Sequence, residues 1–119
     1  MKKIAVITGA SSGMGREFVY AVAKEFQLDE IWVIARRNER LEELQAECRT
    51  PVRPIPMDLS DNASYAAYKD MLEAEKPQVH LLINAAGYGL FGTFDEMELD
   101  NQLGIIDLND KALTAMCLL

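Results

Sequence analysis

The sequence predicts an open α/β fold on a parallel sheet, and three observations predict it. Short apolar runs recur along the 119 residues, and a stretch whose apolar positions keep helical spacing follows the first three of them directly. Residues 31–35 (IWVIA) are a continuous apolar run rather than an alternating one, the pattern of a strand covered on both faces. Loops of small residues follow the first and fourth runs, at 8–15 (TGASSGMG) and 84–89 (NAAGYG). Strands alternating with helices imply parallel neighbours joined by right-handed crossovers.

Each element has its own signal. Residues 4–7 (IAVI) are β-rich, and from Gly15 the positions Phe18, Val19, Val22, Ala23 and Phe26 mark one helical face. The glycine stretch is therefore a strand-to-helix junction. After the second strand at 31–35, Leu41, Leu44 and Cys48 mark one side of a charged helix. Residues 52–57 make a third strand, which Pro54 and Pro56 assign to a sheet edge because neither has an N–H for the ladder. Ser60 is placed to cap a helix running to about Lys76, and Pro77 ends it. Residues 79–83 form the fourth strand. From about Leu99, the positions Leu103, Ile106, Ala112, Leu113 and Met116 keep roughly helical spacing. That segment stops at Cys117, Leu118 and Leu119 without a glycine, a basic last turn or a proline, so the expectation is a cut through an element.

Composition narrows the partners. Half the residues are hydrophobic, enough for one buried core, and the length fits one domain, 1–119. A formal net charge of -7 argues against broad electrostatic binding to nucleic acid or to an anionic membrane. Any anion must be held locally. Cys48 and Cys117 lack metal-ligand spacing and read as ordinary thiols of a reducing compartment, so a cytoplasmic location is the default. The run behind Met1, Lys2 and Lys3 is too short for a signal peptide, and no stretch is long enough to span a membrane.

The glycine stretch carries the chemistry. A helix N-terminus offers unpaired N–H groups and about half a positive charge, and glycines remove the Cβ atoms that would keep a pyrophosphate away. The spacing Gly9, Gly13, Gly15 differs from G-x-G-x-x-G, and no Gly-Lys-Ser/Thr follows to make a P-loop. Thr8 and Gly9 with Gly13 and Gly15 after the first strand, Asp58 after the third, and Asn84-Ala85-Ala86-Gly87 after the fourth occur in order. In this the chain resembles the short-chain dehydrogenase/reductases. The resemblance spans the whole chain but about the first half of a typical family member. It implies an incomplete, Rossmann-like doubly wound parallel sheet, truncated within the last helix.

By the resemblance, Gly9, Ser11, Ser12, Gly13, Met14 and Gly15 would wrap a pyrophosphate. Asp58 and Leu59 would border the adenine, and Asn84, Ala85 and Gly87 would lie under the adenosine ribose. Asp58 is equally readable as a helix-entry residue. Family members often have Asn-Asn-Ala-Gly where this chain has Asn84-Ala85-Ala86-Gly87, a change that removes one amide. Arg36 and Arg37 after the second strand suit a ribose 2′-phosphate, which favours NADP over NAD; the alternative is a solvated charge pair heading the next helix. Arg16 is a weaker helper or faces solvent.

Catalytic groups are sparse. Tyr65 and Lys69 share a helix face, but they precede the Asn84 loop, whereas the family's tyrosine follows it, so Tyr65 and Tyr68 read as packing residues with wet hydroxyls. His80 sits in an apolar strand pattern and reads as structural, and no cluster supports a metal. Asn109 resembles the family's active-site asparagine, or is a polar residue on a solvent face. The family's serine and later Tyr-x-x-x-Lys have no counterpart. The resemblance thus implies the cofactor-binding part of an NADP-dependent oxidoreductase acting on a small carbonyl or alcohol, whose parent pairs as a homo-oligomer through the last helix. The rival is a non-catalytic dinucleotide-binding or regulatory module ending near Leu119. A third expectation is association of the chain through its uncovered apolar helix and sheet edge.

Overall fold

The computed structural model describes residues 1–11, 13–85, 116 and 117. Seven elements alternate as expected: β1 (Lys3–Thr8), α1 (Gly13–Glu25), β2 (Glu30–Ala35), α2 (Asn38–Glu47), β3 (Val52–Pro56), α3 (Asn62–Glu75) and β4 (Gln78–Asn84). The strands form one parallel sheet in the order β3-β2-β1-β4. Successive connections carry the chain from β1 outward to β3, and α3 then returns it to the other side of β1. The order reverses between β1 and β4, the kind of switch point at which open α/β sheets bind ligands.

Both faces of β1 and β2 are covered, which explains their continuous apolar runs. On one face Ala5, Ile7, Ile31 and Val33 pack with Val19 and Val22 of α1 and with Leu41 and Leu44 of α2. On the other, Ile4, Val6, Trp32 and Ile34 pack with Ile55, Leu59, Met116 and Tyr68 of α3. Burying one such aliphatic side chain contributes about 1.5–3 kcal/mol, so the alternating faces of β1 and β2 hold the layers together.

The prolines act at the edge of the sheet. The Met57 N–H donates to the Ala35 carbonyl at 3.0 Å, so by strand alternation Pro54 and Pro56 carry their missing donors on the outward side of β3. At the amino ends of the strands Glu30 pairs with Lys2 at 3.0 Å and with Arg53 at 3.3 Å. Arg53 also pairs with Glu75 and lies 5.1 Å from the Trp32 ring centroid. That charge network ties β1, β2, β3 and α3 at the end opposite the glycine stretch.

Two expectations need correction. The N-cap of α3 is Asp61, whose Oδ1 accepts from the Ala63 N–H at 3.0 Å, and not Ser60. Ser60 instead donates its N–H and its hydroxyl to Asp58 Oδ1, at 3.0 and 2.6 Å. Lys76 is the left-handed C-cap just before Pro77. His80, read as structural within an apolar strand, is exposed on β4. Of the last predicted helix, Met116 and Cys117 are described; both are helical and Met116 is buried.

Candidate functional site

Thr8, Arg36, Asp58 and Asn84 all stand at the carboxyl ends of their strands, on one rim of the sheet. The register sets Thr8 opposite Ile34 on one side and Asn84 on the other, and Ala35 opposite Pro56. With strands about 4.8 Å apart, four of them spread this row over about 15 Å, a length suited to an extended ligand.

The centre of the row is the turn from β1 into α1. The Gly9 N–H donates to the Ile34 carbonyl at 2.9 Å, pinning the start of the turn to β2. Gly9 and Gly13 have φ of 67° and 58°, left-handed values that disfavour other residues. Among the described residues, a Cβ built on Gly13 meets nothing within 4 Å, so the first residue of α1 faces space that none of them fills. A Cβ on Gly15 would stand 2.0 Å from the Gly9 carbonyl oxygen. Gly15 is buried and serves the close approach of α1 to the turn, whereas Gly13 opens that turn to a ligand. No acidic side chain lies in the first turn of α1, so no carboxylate of that turn competes with an anion for the positive end of its dipole. Ser11 lies half-buried in the turn and Met14 is 72% exposed beside it.

A residue of the glycine motif to which the sequence assigned no role of its own joins the turn to β4. Thr8 is 1% exposed; its Oγ1 accepts the Ala85 N–H at 3.2 Å and donates to the Ile83 carbonyl at 3.5 Å. This hydroxyl stitches β1 to β4 at the switch point. The available signal was a threonine closing an apolar strand directly before Gly9.

The flanks differ. Arg36 and Arg37 are exposed after β2, and Arg37 is the N-cap of α2 with no side-chain capping bond. The Ser60 hydroxyl and then its backbone N–H hold the Asp58 carboxyl below the usual range, and Arg36 acts in the same direction against the opposing effect of burial. The main-chain carbonyl of Asp58 accepts from the Asp61 N–H at 3.1 Å and from Ser64 Oγ at 2.6 Å, so Asp58 organises the entry into α3. Leu59 is 3% exposed and its side chain belongs to the core. Arg16 neither reaches the row nor stands free: Nε donates to the Tyr20 hydroxyl at 3.2 Å, and the guanidinium pairs with Glu43 at 3.3 Å and Glu47 at 3.9 Å.

The tyrosines pack, as expected, but the Tyr65 hydroxyl is bonded within the protein. The Tyr65 hydroxyl donates to the Leu59 carbonyl, and Tyr68 is 2% exposed. Ser12, Gly87 and Asn109 lie outside the described residues. Among those described there is no group of three metal-ligating side chains, and no helix is long and apolar enough to cross a membrane.

The family model for short chain dehydrogenases matches residues 3–119. The chain belongs to the short-chain dehydrogenase family. Among its relatives, an NADP-dependent 3-hydroxy acid dehydrogenase of Schizosaccharomyces pombe is 32% identical over 96% of this chain and 46% of that protein. A short-chain dehydrogenase from Sphingobium yanoikuyae, solved in complex with NADPH, is 30% identical with a TM-score of 0.85, covering 98% of this chain and 46% of that one. A metagenomic short-chain oxidoreductase solved with NADP is 27% identical with a TM-score of 0.85, over 95% and 52%. The chain thus spans about half the length of these relatives of the short-chain dehydrogenase family.

Proposed function

We propose that this chain is the NADP-binding part of a short-chain oxidoreductase that interconverts a small carbonyl and an alcohol. The observation that carries the reading is the open, left-handed Gly13 at the acid-free N-terminus of α1, on the same strand-end row as Arg36 and Arg37. The N–H groups around Gly13 would hold the pyrophosphate, with Gly9, Ser11 and Met14 lining its approach. Arg36 and Arg37 would hold the 2′-phosphate through charge-assisted hydrogen bonds. Asp58 would border the adenine, and Asn84 and Ala85, stitched to Thr8, would lie under the ribose. When bound, the nicotinamide supplies or accepts the hydride. The relatives that bind NADP or NADPH support this choice of cofactor. The residues named here bind and orient, so this chain by itself would turn over no substrate, Asn109 being the one catalytic candidate assigned to it.

Fluorescence titration of the chain with NADPH and NADH tests the reading. NADPH is expected to bind more tightly than NADH. Arg36→Ala and Arg37→Ala should each weaken NADPH by about ten- to a hundredfold and leave NADH within about twofold. Equal affinity for the two cofactors would sink the 2′-phosphate assignment, and binding of neither would reduce the glycine stretch to a mark of the fold. For the activity, a chain extended into the family's serine and Tyr-x-x-x-Lys should oxidise NADPH with a panel of carbonyls.

A further inference from the structure

Asn84 is held at two levels. Its backbone closes β4 opposite Thr8, where the following Ala85 N–H donates to Thr8 Oγ1 at 3.2 Å. Its side chain has a separate anchor: Nδ2 donates to Cys117 Sγ at 3.5 Å, 33 residues away in sequence. The adjacent Met116 is 2% exposed in the cluster with Ile4, Val6 and Trp32, so packing against the sheet delivers the thiol to the end of β4. A thiol sulfur is a weak acceptor, but a carboxamide engaged through Nδ2 has a preferred orientation and can still accept another donor with its oxygen.

We propose that Cys117 is a positioning residue of the dinucleotide site and acts through Asn84. The sulfur fixes the carboxamide through Nδ2 and leaves its oxygen to accept a ribose hydroxyl of the bound dinucleotide, an assignment that rests on the NADP-binding reading above. Ordering the carboxamide before the ligand arrives removes part of the cost of binding.

The test is NADPH titration of the full chain as wild type, Cys117→Ala, Cys117→Ser, Asn84→Ala and the Cys117→Ala/Asn84→Ala double variant. Cys117→Ala should weaken NADPH by about threefold to tenfold. Cys117→Ser, which keeps an acceptor in place, should stay within about twofold of wild type. In the Asn84→Ala background, Cys117→Ala should change nothing further, because the group it acts through is gone. Where the alanine variant does not fold, Cys117→Val removes the acceptor with less loss of volume. The proposal is overturned if the acceptor-free variants bind like wild type, if serine binds as poorly as they do, or if their effect persists in the Asn84→Ala background. Failure of wild type to bind NADPH overturns the cofactor reading itself, and this assignment with it.

Discussion

At Gly15 an added Cβ would stand 2.0 Å from the Gly9 carbonyl oxygen and 2.6 Å from its carbon, so alanine there must push the first turn of α1 away from the end of β1. At Gly13 the same methyl meets none of the described residues, and the obstacle is φ of 58°. The two substitutions should therefore separate. Gly15→Ala is expected to lower unfolding free energy by roughly 3 kcal/mol, the scale of a core overpacking against backbone that cannot yield. Gly13→Ala should cost about 1–2 kcal/mol for the left-handed backbone, while weakening NADPH by at least about tenfold because its methyl occupies the ligand's approach. Urea unfolding and cofactor titration of both variants check this; equal stability losses at the two positions would contradict the assignment of packing to Gly15 and ligand access to Gly13. The glycine spacing in the sequence marks the turn but does not divide its labour, since the division depends on which backbone lies opposite each Cα. Thr8 was named in the motif, but its role was not legible for a related reason: its partners, Ile83 and Ala85, lie 75 and 77 residues away.

Among the elements, α3 offers the clearest titration. Its Tyr68 is 2% exposed against Trp32 and Ile34, and burial raises its phenol to about 12. An unfolded chain releases that proton near pH 10. The folded value is the higher one, so the stabilisation is complete below about pH 10 and is lost as pH rises toward 12, a total of about 3 kcal/mol for two pH units. Tyr68→Phe should abolish this alkaline loss, measured as the difference in urea midpoint between pH 9 and 11; a variant that loses stability as wild type does would refute it. The order of strands and helices was legible in the sequence because each element buries a face with its own period, and Pro54 and Pro56 disclosed the edge strand. The start of α3 was not legible in the same way. Asp58, Ser60, Asp61 and Asn62 are all capping residue types within five positions. Only the three-dimensional turn, in which Asp58 takes both donors of Ser60, leaves the cap to Asp61. Arg16 shows the same limit, since its partners Glu43 and Glu47 belong to a neighbouring helix.

For the molecule as a whole, the two sides of the sheet are protected unequally. On β3, proline removes outward donors at positions 54 and 56, which blocks the addition of another strand there. Among the described residues β4 pairs only with β1, carries no proline, lysine, arginine or acid, and exposes 41% of Val79. Phe26, 51% exposed, lies close by, lining a cavity of about 160 Å³ with Leu28, His80 and Leu81. A weakly charged strand that, among the described residues, has one edge without a partner and lies next to exposed apolar side chains is a template for another chain. The 119-residue chain produced by itself is therefore expected to self-associate, with light scattering at micromolar concentration giving a mass above that of one chain. Val79→Lys should shift the mass toward the monomer, because an edge lysine loses its hydration if a second strand pairs over it. The net charge of -7 opposes association at long range, so added salt should raise the wild-type mass by screening that repulsion. A monodisperse wild-type monomer with a cooperative melt would show that the β4 side is not adhesive, whereas association unaffected by Val79→Lys would place the contact away from this strand.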